Sequence, residues 1–322
     1  MIELPLIEAA RERVADVALR TPLVRLPGSA SPEIYLKLEV LQPVGSFKIR
    51  GAANAIRCAP PADRAHGLLT ASAGNMAQGV AFMARELGLP AKIVVPETAP
   101  RAKLAAIERL GGTIVPVPYD EWWRTIVDGD VEGEQGLFVH PVQDETVMAG
   151  NGTIGLEVVE QLADPDAVVI PFGGGGLTVG VASAIRALRP ETKIFTAEPA
   201  TGAAFAAALA SGRPVDVDFQ PSFVDGSGSR RVLDTMWGRA SRLVDRAFAV
   251  PIEDVAAAVR LLAERAHVIA EGAGALAVAA ALSGQAGDGK VVCIVSGGNI
   301  DFAKLAEILA ASPGNGLPGG LG

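Results

Sequence analysis

The chain has 322 residues, 49% hydrophobic and 20% charged, enough to bury a real core in one large domain or two ordinary ones. With 28 basic against 36 acidic residues the net charge is −8, and no dense Lys/Arg run offsets it, which argues against a nucleic-acid surface. Cys58 and Cys293 stand far apart with no C-x-x-C and no His/Cys ligand spacing, which argues against zinc ribbons and disulfide frameworks. They read as two reduced, buried thiols in a cytoplasmic protein. Met1-Ile2-Glu3-Leu4-Pro5 has no basic segment leading into an apolar run, so no signal peptide is expected.

In chain order, the first predicted strand is Ile34–Leu38. Pro43 and Gly45 shape the loop that follows, and Lys48 in Ser46-Phe47-Lys48-Ile49-Arg50-Gly51 falls where a helix begins. The positive end of a helix disfavours an ammonium, and desolvation depresses its pKa further, as a Schiff-base lysine requires. By itself, Lys48 reads more readily as a solvated surface lysine. A strand at Gly67–Thr70 leads into Ser72-Ala73-Gly74-Asn75 and a helix at Met76–Leu87. That junction suits an anion held by free backbone N–H groups, and equally a helix capped by Ser72 or Asn75. Strands at Ala91–Val95 and Thr113–Pro116 flank a helix at Arg101–Leu110; Gly88, Gly111 and Gly112 stand where helix-ending glycines belong. Tyr119, Trp122 and Trp123 read as the cover of a surface helix or as an interface.

A helix is predicted at Thr146–Leu162 and a strand at Ala167–Ile170, then Gly173-Gly174-Gly175-Gly176-Leu177 opens a helix at Leu177–Leu188. The uncharged stretch from Ala167 to Ile185 approaches membrane-spanning length, but Pro171 and four glycines in its middle exclude a single helix. Tetraglycine between strand and helix lets the backbone wrap a phosphate, although a tight turn without a ligand remains open. Neither G-x-G-x-x-G nor a Walker sequence is completed, which favours a single phosphate over a pyrophosphate. A strand at Lys193–Ala197, a helix at Ile252–Ala266 and a strand at Lys290–Val295 follow. The last strand ends at Ser296-Gly297-Gly298-Asn299, where Ser296 and Asn299 read either as ligand contacts or as caps. A helix at Asp301–Ala310 precedes a tail, 312–322, expected to be disordered. No period of 20–50 residues repeats, and continuous apolar strands between helices predict a parallel sheet covered on both faces.

Together and in order, S-F-K-x-R-G, S-A-G-N-x-A-Q-G, G-G-G-G-L and S-G-G-N resemble the fold type II pyridoxal-phosphate enzymes, in their threonine/serine dehydratase and serine racemase branch. The likeness runs from about Ile7 to Ala310 and includes Phe138-Val139-His140-Pro141. It implies two open, twisted, mainly parallel α/β sheet domains of the tryptophan synthase beta-like type. Residues 48–139 would form a small domain inserted in a large one made of 1–47 and 140–311. The resemblance further implies that Lys48 carries pyridoxal 5'-phosphate covalently and then serves as base at the substrate α-carbon. Phe47 would flank the ring, Asn75 would bond its 3'-oxygen, Gly173 to Gly176 with Leu177 would hold the phosphate, and Ser296 would face the ring nitrogen. Ser72, Ala73, Gly74 and Asn75 would grip the amino acid carboxylate. The implied reaction is dehydration and deamination of L-threonine, L-serine or a related β-hydroxy amino acid to a 2-oxo acid and ammonia. A homodimer or homotetramer acting on a small amino acid, without nucleic acid or membrane partner, is expected with it.

Departures refine this expectation. Racemases of the branch carry a hydroxyl where Ala73 stands, so elimination is favoured over racemisation. The cation-binding pattern E-P-x-x-A-x-D keeps Glu198-Pro199 but has Gly202 and Ala204 later, so no metal site is expected. After Asp225-Gly226, the sequence Ser227-Gly228-Ser229-Arg230-Arg231 replaces an apolar run; it reads more readily as a surface loop with solvated arginines, and otherwise raises phenylserine or 3-hydroxyaspartate as substrates. His66, His140 and His267 read as structural, and the segment Glu271-Gly272-Ala273-Gly274 as a loop near the cofactor without a catalytic role. Two rivals stand beside this reading: an NAD-dependent dehydrogenase with Glu198 on the ribose, and a ligand-binding scaffold.

Overall fold

The computed structural model describes residues 1–131 and 133–311; the tail expected to be disordered lies outside them. Helix α1 (Leu4–Val14) starts with Pro5 in its first turn and buries Ile7, Ala10 and Val14 along one stripe. Strand β1 (Leu23–Arg25) pairs antiparallel with β2 (Glu33–Leu38), and a short 3-10 turn leads on to helix α2 (Lys48–Cys58). Next come β3 (Leu68–Ala71), α3 (Asn75–Leu87), β4 (Ala91–Pro96), α4 (Arg101–Arg109), β5 (Thr113–Val117), α5 (Tyr119–Asp128) and β6 (Leu137–Phe138). Asp144 caps α6 (Glu145–Gln161) by accepting from the Thr146 and Val147 N–H groups. The remainder runs β7 (Ala167–Pro171), α7 (Gly176–Leu188), β8 (Lys193–Pro199), α8 (Ala204–Ser211), α9 (Asp234–Ala240) and β9 (Arg246–Val250). Helices α10 (Ile252–Arg265) and α11 (Gly272–Leu282), strand β10 (Lys290–Val295) and helix α12 (Phe302–Ala310) complete the chain.

The strands form two sheets. A six-stranded one has the order β1-β2-β10-β7-β8-β9, parallel except for β1, and a four-stranded parallel one has the order β5-β4-β3-β6. Alternation along the large sheet feeds two cores. Ile34, Leu36, Val169 and Cys293 pack with α10 and α11, while Val168, Ile170, Val292 and Ile294 pack with α6 and α7. The predicted strands and helices recur within two residues of their expected ends. Gly88 ends α3 at φ 64°, the left-handed conformation that glycine accepts freely. Among the described residues no helix is long and apolar enough to cross a membrane.

Two expectations need correcting. Cys293 is buried, but Cys58 is exposed, because it lies at the end of α2 beyond the packed stretch Ile49–Ile56. The segment after Glu271 is not a loop: Gly272 opens α11, whose first ten residues are all buried. A helix apolar on every side carries no 3.6-residue alternation, so periodicity could not find it.

Candidate active site

Both sheets reverse their strand order beside one crevice, which is where open α/β sheets bind ligands. In the large sheet the reversal lies between β7 and β10, so the tetraglycine after β7 and Ser296 after β10 emerge side by side. In the small sheet it lies between β3 and β6, which brings Ser72 to Asn75 next to Pro141 and Val142. A cavity of about 430 Å³ joins these ends. Phe47, Lys48, Ser72, Ala73, Gly74 and Asn75 line it on one side. Gly173, Gly174, Gly175, Gly176, Leu177 and Ser296 line it on the other, so every site residue expected from the sequence borders the same space.

Lys48 is the first residue of α2, and its approach is fixed from the large sheet. The Phe47 N–H donates to the Ser296 carbonyl at 3.0 Å, and Ser46 bridges to Gly297. Lys48 Nζ donates to the Pro141 carbonyl at 3.2 Å and lies 5.2 Å from the centre of the Phe47 ring. Burial depresses the amine to about 8, partly opposed by the nearby Glu271. No side chain caps α2, α3 or α7, so three helix N-termini present unsatisfied N–H groups around the cavity. Neither Ser72 nor Asn75 caps α3; the Ser72 hydroxyl instead accepts from the Gly74 N–H at 3.2 Å. His140 shapes the Pro141 turn. Its Nδ1 accepts from the Val142 and Gln143 N–H groups, and its Nε2–H donates to the Ile126 carbonyl at 2.8 Å.

A phosphate fits the glycine bend. Gly175 has φ 92°, and a Cβ on Gly174 would lie 2.5 Å from Val142 Cγ2. A side chain at either position would distort the bend or fill it. The uncapped start of α7 directly behind it favours an anion.

Asn75 is held from two sides. Its Nδ2 donates to Glu271 Oε1 at 2.7 Å, and its Oδ1 accepts from Asn299 Nδ2 at 2.7 Å, which leaves one amide hydrogen for a ligand. Glu271, whose segment the sequence reading placed near the cofactor without a catalytic role, borders the cavity beside Asn75. It is 8% exposed, lines the cavity, and burial pushes its carboxyl up to about 7 despite the Asn75 hydrogen bond. An acidic residue just before an unbroken apolar stretch was the available signal. Trp122 and Trp123 also differ from expectation: they form part of the cavity wall rather than only the outer cover of α5. Glu198 lies elsewhere. It is fully buried and accepts from the Phe205 and Ala206 N–H groups at the start of α8, at 3.0 and 2.8 Å. Glu198 does not line the cavity, and His66 and His267 are exposed outside it.

The family model described as "Pyridoxal-phosphate dependent enzyme" matches residues 14–297. An L-threonine ammonia-lyase of Thermotoga maritima is 41% identical over 96% of this chain and 78% of its own length. Maize serine racemase superposes with a TM-score of 0.87 at 31% identity, covering 95% of this chain and 96% of that one. The processed threonine deaminase isoform 2 of Solanum lycopersicum gives 0.85 at 35%, covering 95% and 87%. With its lysine, glycine bend and strand ends arranged in this way, the chain belongs to the pyridoxal-phosphate dependent enzyme family.

Proposed function

We propose that this protein is an ammonia-lyase that dehydrates and deaminates L-threonine, L-serine or a closely related β-hydroxy amino acid, yielding a 2-oxo acid and ammonia. The observation that carries it is the depressed amine of Lys48 opening onto one cavity with the glycine bend and the uncapped start of α3. The 41% identity to an L-threonine ammonia-lyase supports the same reaction. Lys48, Phe47, Asn75, Gly173 to Gly176, Leu177 and Ser296 would hold pyridoxal phosphate. When bound, that group withdraws the electron pair left on the α-carbon.

The protein's own part begins with orientation. N–H groups at the start of α3, with Ser72 and Asn75, hold the substrate carboxylate and fix which α-carbon bond faces Lys48. An amine titrating near 8 carries an appreciable neutral fraction at neutral pH, so Nζ takes the α-proton there. Ser296 would offer pyridoxal phosphate a neutral hydroxyl and would impose no charge on it. Ala73 offers no proton on the face opposite Lys48, which favours elimination over the two-sided exchange that racemisation needs. Residues 48–139, which contain all four strands of the small sheet, are taken as the inserted domain between 1–47 and 140–311. Homo-oligomeric assembly and a cytoplasmic location belong to the same proposal.

The test is turnover by the purified holoenzyme. L-threonine or L-serine should give a 2-oxo acid, and Lys48→Ala should reduce the rate at least about 1,000-fold while circular dichroism stays unchanged. Borohydride should leave a stable adduct on Lys48. An active Lys48→Ala, or a wild-type holoenzyme inert toward β-hydroxy amino acids, would overturn the assignment.

A further inference from the structure

Once the cofactor and carboxylate contacts are assigned, one wall of the cavity is left over. Trp122, Trp123 and Ile126 line it from α5, facing a lining that also includes Val232 and Leu233. The wall is firmly supported. Ile126 is buried with Ala71, Val94 and Val117, with Trp122 packed against them, and its carbonyl is held by His140. Trp122 and Trp123 lie 6.4 Å apart with their rings inclined by 50°, so adjoining indoles border the space. Trp123 is still 44% exposed, a large apolar surface at a ligand cavity rather than in a core.

The charges of this region are already matched. Besides Lys48, the cations among the described lining residues are Lys103 and Arg231. Lys103 pairs with Asp225, and Arg231 lies 3.6 Å from both Asp216 and Asp234. A substrate carboxylate entering here would have to compete with an aspartate for Lys103 or Arg231, or else meet indole faces and lose hydration without a compensating charge. A neutral ring loses nothing and gains aromatic contacts.

We propose that the α5 wall is the pocket for the substrate's β-substituent, and that the enzyme accepts β-hydroxy amino acids bearing an aryl group there, with 3-phenylserine as the representative. This inference rests on the ammonia-lyase reading and specifies its substrate class. The chemistry balances without any co-reactant: the α-proton and β-hydroxyl leave as water, and water returns when the resulting imine hydrolyses. The net change is loss of one ammonia, giving the aryl 2-oxo acid.

The experiment compares kcat/KM of the holoenzyme for L-threonine, threo-3-phenylserine and threo-3-hydroxyaspartate by release of 2-oxo acid. Phenylserine should match or exceed threonine, and hydroxyaspartate should fall at least about tenfold below phenylserine, the scale of one unpaired buried charge or lost ring contact. In Trp123→Ala the phenylserine-to-threonine ratio should drop about tenfold, and Trp123→Phe should restore most of it. Should Trp123→Ala fail to fold, Trp123→Leu tests the same ratio with the bulk kept and the ring removed. Threonine turnover without phenylserine turnover overturns the inference and leaves the lyase reading standing. A ratio unmoved by these substitutions also overturns it. Inactivity on all three substrates overturns the lyase reading itself.

Discussion

Glu271 shows how one side chain ties stability to pH. Its carboxyl titrates near 7 in the folded chain, against about 4.5 when exposed, because burial penalises the anion. Between those values the folded state binds more protons than the unfolded one, so stability falls as pH rises through that window. Glu271→Gln removes the titration and keeps a group able to accept from Asn75. Unfolding the cofactor-free protein in urea at pH 5 and pH 8 should show the variant gaining on wild type at the higher pH. The full effect is at most about 3 kcal/mol. An equal difference at both pH values would mean that the carboxyl ionises in its ordinary range. Lys48 was legible in the sequence because a lysine after Ser-Phe opens a helix and sits within a recognisable motif. Glu271 was not, since its significance comes from being brought to Asn75 across 196 residues of chain.

Among the elements, legibility followed the physics of each segment. Strands β7 and β10 were readable because parallel strands buried on both faces are continuous apolar runs. Helix α11 escaped because it is apolar on every side, and β6 because it has two residues. The tryptophans of α5 were readable as aromatic but not as cavity lining, because which side of the small sheet faces the crevice is decided by how the two sheets meet. The bend before α7 is the element whose sequence and function are most tightly bound. Gly175 combines φ 92° with a Cβ position 3.1 Å from Phe172 Cζ and 3.3 Å from Met236 Cε. Gly175→Ala should therefore cost the cofactor-free protein about 1–3 kcal/mol in backbone strain and crowding. Cofactor affinity, followed by absorbance titration, should weaken at least about tenfold, since the strained bend no longer aims its N–H groups at one point. Unchanged affinity would separate the bend from phosphate binding.

At the scale of the whole molecule, a buried ionic cluster joins the segments that carry the site. Arg50, two residues after Lys48, donates through Nε and Nη2 to the two oxygens of Glu39, both at 2.8 Å, and through Nη1 to Glu157 at 2.6 Å. Lys37 on β2 pairs with Glu157 from the other side, and all four side chains are at most 6% exposed. The cluster is neutral and densely bonded, which offsets the cost of burying four charges. Burial pushes the Glu39 carboxyl upward, but Arg50 and the Thr21 hydroxyl outweigh it and hold the group below its usual range. Helix α2 is thereby pinned to β2 and α6 just beyond Lys48. Arg50→Met should cost about 3–5 kcal/mol in urea unfolding, because it strands two buried carboxylates with a single lysine. Glu39→Gln/Arg50→Met should cost less than the two single changes summed, by about 1–3 kcal/mol, since the first substitution already removes one stranded charge. Strict additivity would mean that the four groups do not act as a unit, and that α2 is held in place by apolar packing alone.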